Sequence, residues 1–253
     1  DGTVSKINAT SGATTTVTVG TYPFGVAFDG TNIWVANRDS ATLSKINPVT
    51  NAVTPVALDA NADPYAVVFD GTYIWTNNNT FGMYKVNPTS NAVISAALSP
   101  GINGTGFTMA FDGTNIWVPN QIGNTISRIN AGTGLVTQFN VGTNPYGVAF
   151  DGTNIWVTNG TSNDVMKLNP TTGAVLATLT GFSTPRGVTF DGTNMWVTNY
   201  GGLPPNELYS INPTTNAVSA PIAIGTTPRG MVYDGAHLWV VLGDPGKVVR
   251  YTP

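Results

Sequence analysis

Three features of the sequence predict an all-β fold built from six similar units. A segment related to FDGTNIWVTN recurs six times, and successive copies lie 39 to 43 residues apart. Each period contains several short apolar segments bounded by Gly, Pro, Asn and Asp, which is the pattern of β-strands. No stretch keeps helical periodicity over the roughly 10 residues that a helix needs. Because a period of about 40 residues with several strands is typical of a β-propeller blade, we predict a six-bladed propeller of four-stranded antiparallel blades.

The repeat also predicts that residues 1–253 form a single domain. Every tryptophan of the chain occupies the same place in the repeat, so each marks the centre of one unit. These residues are Trp34, Trp75, Trp117, Trp156, Trp196 and Trp239. We therefore expect six blades, each centred on one tryptophan.

Residues 144–181 show how four strands follow one another within a unit. YGVAFDG contains a short apolar strand, termed strand A, and NIWVTN is strand B. The DGTN turn joins them, and Asp-Gly favours a hairpin because glycine accepts a positive φ. VMKLNP is strand C, and TTGAVLATLTG contains a turn followed by strand D.

The polar residues that recur in each copy of the repeat have architectural explanations. Six equivalent Asp-Gly turns around a ring cannot converge on one substrate, so we interpret each aspartate as a cap for the backbone N–H groups of its turn. Tryptophan is large enough to fill the gap between blades, and its indole N–H needs a partner. An asparagine ends strand B in five units, and we expect it to bond the backbone of the next loop. These asparagines are Asn37, Asn78, Asn120, Asn159 and Asn199.

Counting the strands predicts how the ring closes. Strands A, B and D occur six times, whereas strand C occurs seven times, from TVSKIN at residues 3–8 to KVVRYTP at residues 247–253. Because open edges invite aggregation, the N- and C-terminal strands should share one blade. The last strands A and B pair either with the N-terminal C–D hairpin or with their own strand C and the N-terminal strand D. We favour the second arrangement. A surplus strand C could then add to another subunit's sheet edge, which would give self-assembly.

Composition limits the functional classes. Only 9% of the residues are charged, against about 25% in an average soluble domain. The ten basic residues are spread thinly, which argues against a nucleic-acid partner. No apolar run approaches the roughly 20 residues of a membrane helix, so we expect no membrane span. The sparse charge and the abundant Thr, Asn and Gly favour an extracellular or cell-surface, secreted protein.

The segments VGTNPYGVAFDGTNIWVTN (residues 141–159) and SKINPVTNAV resemble the YVTN-type β-propeller repeat of bacterial and archaeal secreted or surface-layer proteins. The resemblance covers essentially the whole chain, and NHL-type modules and streptogramin lyases are related propellers. The chain departs from the family pattern by using Trp in place of the usual Tyr. It also ends its last strand B with WVVL rather than an asparagine. The resemblance implies the propeller fold and no particular activity.

Residues suited to catalysis are sparse. The single histidine, His237, lies in the sixth A–B turn, cysteine is absent, and Glu207 is the only glutamate. The resemblance to streptogramin lyases implies a histidine-based acid/base site, which this chain lacks the histidines to build. We therefore predict a protein that is not an enzyme, with no catalytic residue, no cofactor and no metal site.

The position four residues before the Phe or Tyr that ends strand A predicts a ligand site. Strand A begins there, so these side chains should ring the mouth of the central channel. Four are aromatic and two are arginines: Phe24, Tyr65, Phe107, Tyr146, Arg186 and Arg229. An aromatic arc facing two guanidinium groups suits a sugar, an acidic glycan or a peptide carboxylate. The alternative is that the aromatics pack on the preceding proline and the arginines are solvated.

Variable B–C loops add secondary candidates, because propellers place recognition in loops. Arg38 and Asp39 lie in one loop, and Tyr200 and Glu207 lie in the longest. The favoured function is a binding module for glycan or protein ligands at the channel mouth. The alternative is a structural subunit of a surface layer or extracellular filament.

Overall fold

The computed structural model confirms the predicted all-β fold, with six antiparallel blades arranged as a β-propeller. It describes residues 1–78, 82–96, 106–201, 206–243 and 246–253. Within these ranges no helix is long and apolar enough to cross a membrane.

The strands follow the predicted A–B–C–D order. An N-terminal pair comprises β1 (Thr3–Ile7) and β2 (Thr14–Thr18). Blade 1 comprises β3 (Pro23–Phe28), β4 (Ile33–Asn37), β5 (Thr42–Ile46) and β6 (Val53–Ala57). Blade 2 comprises β7 (Pro64–Phe69), β8 (Ile74–Asn78), β9 (Met83–Val86) and β10 (Val93–Ala96). Blade 3 comprises β11 (Ala110–Phe111), β12 (Asn115–Asn120), β13 (Thr125–Asn130) and β14 (Val136–Asn140). Blade 4 comprises β15 (Pro145–Phe150), β16 (Ile155–Asn159), β17 (Asp164–Leu168) and β18 (Val175–Leu179). Blade 5 comprises β19 (Pro185–Phe190), β20 (Met195–Asn199), β21 (Asn206–Ile211) and β22 (Ile222–Gly225). Blade 6 comprises β23 (Pro228–Tyr233), β24 (Leu238–Leu242) and β25 (Lys247–Tyr251).

The terminal strands lie in two sheets rather than in one shared ladder. In the described residues β23, β24 and β25 form a three-stranded sheet, and β1 and β2 form a separate two-stranded sheet. Blade 6 therefore keeps its own strand C, as we favoured, but β2 pairs with β1 and not with β25. The predicted sharing of one blade is thus replaced by two neighbouring sheets. The Arg250 guanidinium of β25 still reaches the N-terminal pair and donates to the Ala9 carbonyl at 2.6 Å.

Each A–B turn is organised by its aspartate, as predicted. In blade 4, Asp151 Oδ1 accepts the backbone N–H groups of Thr153 and Asn154 at 2.7 and 2.6 Å. Its Oδ2 accepts the Trp156 indole N–H at 2.7 Å. The same indole-to-carboxylate bond occurs in all six units, at 2.6 or 2.7 Å. The partner that each buried indole needs is therefore the aspartate five residues before it.

At the turn carboxylates Asp112 and Asp234, these hydrogen bonds lower the pKa. Burial alone would raise the pKa of Asp112, but hydrogen bonds from Trp117, Asn115 and Thr114 outweigh it and lower the pKa. At Asp234 the bond from the Trp239 indole is the largest cause of a lowered pKa. A depressed folded-state pKa stabilises the fold above the unfolded pKa of about 4. This stabilisation is lost as the pH falls through the folded-state pKa.

Tryptophans pack each of blades 1 to 5 against the blade that follows it. In blade 3, Trp117 and Ile126 pack against Val148, Ile155 and Val157 of blade 4. The corresponding Trp34 of blade 1 packs on blade 2, Trp156 on blade 5, and Trp196 on blade 6. One face of each blade thus presents the tryptophan, and the facing side of the next blade presents branched aliphatic residues.

Strand C adds a polar link between blades. Lys45 Nζ donates to the Pro88 carbonyl in the C–D turn of the next blade at 2.6 Å, and Lys167 Nζ donates to the Pro213 carbonyl at 2.6 Å. Lys85 and Arg128 make the same link to blades 3 and 4. The ammonium groups of Lys45 and Lys167 also lie over Trp34 and Trp156, at 5.5 and 5.3 Å from the ring centroids.

We expect Asp151→Ala to destabilise the protein by about 2–4 kcal/mol, because it leaves the buried Trp156 indole N–H unpaired and removes two turn hydrogen bonds. Thermal unfolding measured by circular dichroism checks this value. Asp234→Ala is the matched control, since Trp239 is only partly buried, and it should lower Tm clearly less. Equal losses in the two variants would contradict the prediction.

Candidate functional site

A β-bulge at the start of strand A positions the predicted mouth residues. In blade 4, Pro145 pairs with Asn159 and Gly147 with Thr158, so Tyr146 is the extra residue in the ladder. Blades 1, 2, 5 and 6 show a register irregularity at the same place. A bulge redirects a side chain out of the normal alternation of a strand. The same backbone feature therefore places Phe24, Tyr65, Arg186 and Arg229 in equivalent positions.

A threonine that the sequence analysis did not single out supports this bulge. Thr158 Oγ accepts the Gly147 N–H at 2.9 Å and donates to the Arg186 carbonyl of the next blade at 2.6 Å. Thr198 repeats both bonds with Gly187 and the Arg229 carbonyl, each at 2.8 Å. The threonine of WVTN thus ties one blade's bulge to the next blade's mouth residue. The sequence indicates this threonine by the Thr-Asn pair that ends strand B in blades 4 and 5.

The aromatic mouth residues form one continuous cluster. The Phe24 ring lies 4.8 Å from Tyr65 and 5.4 Å from Phe107, measured between centroids. Phe107 in turn stacks on Tyr146 at 4.4 Å with an interplanar angle of 8°. Tyr22, which the sequence analysis missed, extends the row by stacking on Phe24 at 6.2 Å. The predicted aromatic arc therefore exists, although its rings contact one another as well as the channel.

Arg186 continues this row with a cation. Its guanidinium carbon lies 4.7 Å from the Tyr146 centroid and 3.2 Å from the Tyr200 centroid. Arg186 Nε is buried and has no hydrogen-bond partner among the described residues. Burial is the largest influence on Arg186 and lowers its pKa, and the nearby positive charge of Arg229 acts in the same direction. The guanidinium is thus partly desolvated, and no carboxylate of the described residues forms an ion pair with it.

A cavity of about 350 Å³ opens between these side chains. Five of the six predicted mouth residues line it, namely Phe24, Phe107, Tyr146, Arg186 and Arg229. Tyr65 is buried and supports the cavity from behind through Phe24 and Phe107. Among the described residues the lining contains two arginines and no acidic side chain, so this part of the cavity combines an apolar wall with positive charge.

Arg38 and Asp39 lie in a different, more open depression. The Arg38 Nε donates to Asp39 at 2.7 Å, and Asp63 lies at 3.5 Å. Arg38 Nη1 also donates to the Tyr65 hydroxyl at 3.1 Å. These two partners, Asp39 first, raise the Arg38 pKa. The positive charge of Arg38 is therefore neutralised locally, in contrast to that of Arg186.

The two candidates of the longest loop are separated. Tyr200 joins the mouth by stacking on Arg186. Glu207 instead accepts a hydrogen bond from the Tyr209 hydroxyl at 2.6 Å, and burial followed by this bond raises the pKa of Tyr209 to about 12. Residues 202–205 of this loop lie outside the described residues.

The remaining polar residues of the repeat serve the scaffold. Asn37 donates to the Thr42 and Ser44 hydroxyls, at 3.1 and 2.9 Å, so its partners are side chains of strand C and not loop backbone as predicted. Asn199, in contrast, bonds to loop backbone, because its Oδ1 accepts the Ser183 N–H at 2.8 Å. His237 Nδ1 lies 3.6 Å from Asp234 in the A–B turn, away from the mouth. The described residues contain no cluster of three or more His, Asp and Glu side chains placed to hold a metal.

Solved structures share this fold over the whole chain. Virginiamycin B lyase from Staphylococcus aureus superimposes with a TM-score of 0.84 at 18% identity, covering 100% of this chain and 88% of that chain. A streptogramin B lyase gives 0.73 at 17% identity, covering 92% and 84%. A chain of the Mitotic Checkpoint Complex gives 0.79 at 11% identity, covering 94% and 77%. No known protein-family profile and no curated protein matches the sequence, so membership of the YVTN-type family stays a prediction.

The neighbours correct the prediction that the chain is not an enzyme. Three of the solved structures that share its fold are streptogramin-type lyases. The prediction rested on the lack of histidines for an acid/base site, which was given more weight than the resemblance to streptogramin lyases. The fold match at 17–18% identity now supports that resemblance. The likeness establishes the shared fold. A lyase is therefore one of the candidate functions of this fold.

We expect Thr158→Val to destabilise the protein by about 1–3 kcal/mol, because it leaves the Gly147 N–H and the Arg186 carbonyl without their buried partner. Thr153→Val is the matched control, since Thr153 is exposed in the A–B turn and its side chain makes no such bridge. Chemical denaturation of both variants measures the difference. A Thr158→Val protein as stable as the control would show that the bridge does not stabilise the fold.

Proposed function

We propose that the channel mouth binds an anionic ligand that also carries a sugar or other planar ring, such as an acidic glycan or a peptide with a free carboxylate. The observation that carries this proposal is the placement of Arg186 and Arg229 on one cavity beside an aromatic wall, with no acidic side chain among the described lining residues. The role belongs outside the cell or at its surface, which the sparsely charged composition supports.

The charge of the site supports an anionic ligand. Arg186 is partly buried between two aromatic rings with an unpaired Nε, and Arg229 on the neighbouring blade is exposed. Guanidinium groups bind carboxylates through paired, charge-assisted hydrogen bonds. An incoming carboxylate would satisfy the unpaired donor and compensate both positive charges, so its binding relieves the cost of desolvating Arg186.

The aromatic wall supports a ring-bearing ligand. Phe24, Phe107 and Tyr146 line the same cavity as the arginines, and Phe24 is 36% exposed. Flat aromatic surfaces beside a few placed polar groups are the composition expected of a small-ligand site. The cavity volume of about 350 Å³ lies near the lower end of the range of about 300–1,000 Å³ for such sites, which favours one or two sugar rings or a short peptide end.

We expect the double variant Arg186→Ala/Arg229→Ala to lose at least about 100-fold in affinity, because each charge-assisted contact contributes roughly 1.5–3 kcal/mol. A glycan and peptide array identifies acidic binders, and titration calorimetry with oligogalacturonate as probe measures the loss. Its methyl ester is the matched neutral probe and should bind weakly.

The double variant Lys247→Ala/Arg250→Ala is the charge-matched control, because both residues lie on β25 and outside the cavity lining. It should keep the affinity of the unaltered protein within about threefold, as expected for distant surface charges. Equal affinities of the two double variants would overturn the proposal. So would an array on which no acidic glycan or peptide binds.

A second candidate function is a lyase reaction on the ligand held at this mouth. The observation that favours it is the fold shared with virginiamycin B lyase, one structure of which contains Quinupristin. Incubation with quinupristin and with oligogalacturonate, followed by chromatography and mass spectrometry, tests it. Conversion that Arg186→Ala/Arg229→Ala abolishes supports a lyase at the mouth, whereas no conversion of either probe contradicts it.

A further inference from the structure

The face of blade 6 that should meet a following blade is open. In blades 1 to 5 this face is covered: Leu43, Met83, Ile126, Val165 and Leu208 of strand C are 0–2% exposed. The equivalent Val248 of blade 6 is 41% exposed. On strand B, Val241 is 47% exposed, whereas Thr158 and Thr198 at the same position are 0% exposed. Val232 of strand A is 59% exposed.

The facing side of blade 1 is open at its inner half as well. Val26 is 63% exposed, whereas the equivalent Val67, Val148 and Val188 are 3–8% exposed. Phe28 is 55% exposed. A Cβ built on Gly187 meets the backbone of the next blade at Arg229, but one built on Gly230 meets nothing within 4 Å among the described residues. An apolar slot therefore separates the inner strands of blades 6 and 1.

The outer half of this slot is already filled by β1 and β2. Val17 of β2, with Val4 of β1, packs on Val35 and Ile46 of blade 1. Lys6 Nζ donates to the Pro48 carbonyl at 2.7 Å, which copies the Lys45 link to Pro88 between blades 1 and 2. Arg250 on strand C of blade 6 donates to the Ala9 carbonyl in the β1–β2 turn. Blade 6 is therefore linked to the N-terminal pair in the same way as each of blades 1 to 4 is linked to the next. The N-terminal pair thus occupies a blade position of its own, as strands C and D.

The inner edge of β1 is unpaired in the described residues. In every four-stranded blade, strand C pairs with strand B on one side and strand D on the other, whereas β1 pairs with β2 alone. Lys6 of β1 is equivalent to Lys45 and Lys167 of strand C in blades 1 and 4. Each of those two lysines lies over the tryptophan of strand B in its own blade. The missing part of this blade position is therefore strand A, the Asp-Gly turn and strand B.

We propose that this slot is the binding site for one more A–B hairpin of the repeat's own type. Its strand B would pair with β1 in the register of the other blades, with its tryptophan opposite Lys6, as Trp34 is opposite Lys45. That tryptophan would cover Val26 and Phe28. The aliphatic face of the hairpin would cover Val232, Val241 and Val248, and strand addition would satisfy the free edge of β1.

Continuity with the existing interfaces identifies this occupant. The two walls of the slot are the same two surfaces that meet between every pair of consecutive blades, a tryptophan-bearing face and an aliphatic face. The occupant must match both walls of the slot and also pair with the edge of β1. Two paired strands do so when alternating residues present a tryptophan-bearing face on one side and an aliphatic face on the other. The proposal does not require a ligand at the mouth, although Gly230 and Val241 of the slot also line the mouth cavity.

The test attaches a copy of residues 143–160 (TNPYGVAFDGTNIWVTNG) after Pro253 through a flexible Gly/Ser linker of about 15 residues, which can span roughly 20 Å. We expect Tm to rise by about 5 °C or more, because newly buried apolar surface stabilises the fold. Hydrogen exchange at the amides of Thr3–Ile7 should slow at least tenfold. A matched fusion whose appended tryptophan and first valine are serine should show neither effect.

Slot variants make the test specific. Val26→Asp and Val232→Asp change exposed residues, so each should leave the Tm of the unextended chain unchanged and abolish the rise in the fusion. Val175→Asp, at a valine that is 47% exposed on the outer strand of blade 4, should retain the rise. Equal Tm values for the two fusions overturn the proposal. A concentration-dependent dimer of the unextended chain that Val26→Asp abolishes would overturn the assigned occupant in favour of a second copy.

Discussion

The hydrogen bond from each indole N–H to the aspartate five residues earlier is the interaction on which this structure depends. One carboxylate closes the A–B turn and also satisfies the only polar group of a buried tryptophan. Without it the largest side chain of the repeat would carry an unpaired donor into the apolar space between blades, at a cost of several kcal/mol. With it, that side chain is oriented toward the next blade, and blades 1 to 6 can be joined through five similar interfaces.

Such a scaffold leaves one position of the repeat free to vary. In blades 4 and 5 the bulge at the start of strand A and the threonine bridge to the next blade hold the backbone in the same form, although the mouth residue is Tyr146 in one and Arg186 in the other. Aromatic residues in four blades and arginine in two therefore change the chemistry of the mouth without changing the fold. Tyr200 reaches the same place from a loop and sandwiches Arg186 against Tyr146.

The likeness to solved lyases concerns the fold, and a shared fold does not by itself assign a function. The shared fold extends over 92–100% of the chain at 17–18% identity, and one fold can carry different sites. The cavity of this chain presents guanidinium and aromatic groups, and its single histidine lies in an A–B turn. What a ligand meets at this mouth is therefore decided by the residues of this chain, and the architecture around them is held in common.

The sequence by itself determined the period, the order of the strands, the role of the Asp-Gly turn and the position of the mouth residues. These features depend on contacts within one repeat, such as Asp151 with Trp156, so a short window of sequence contains both partners. Only the tertiary structure decided how the ends meet, because the link from Arg250 to Ala9 spans 241 residues. It also decided that Arg186 stacks on Tyr200 while Arg38 is neutralised by Asp39. Local periodicity specifies a blade, whereas the packing of distant blades sets which charges are compensated and which apolar faces stay open.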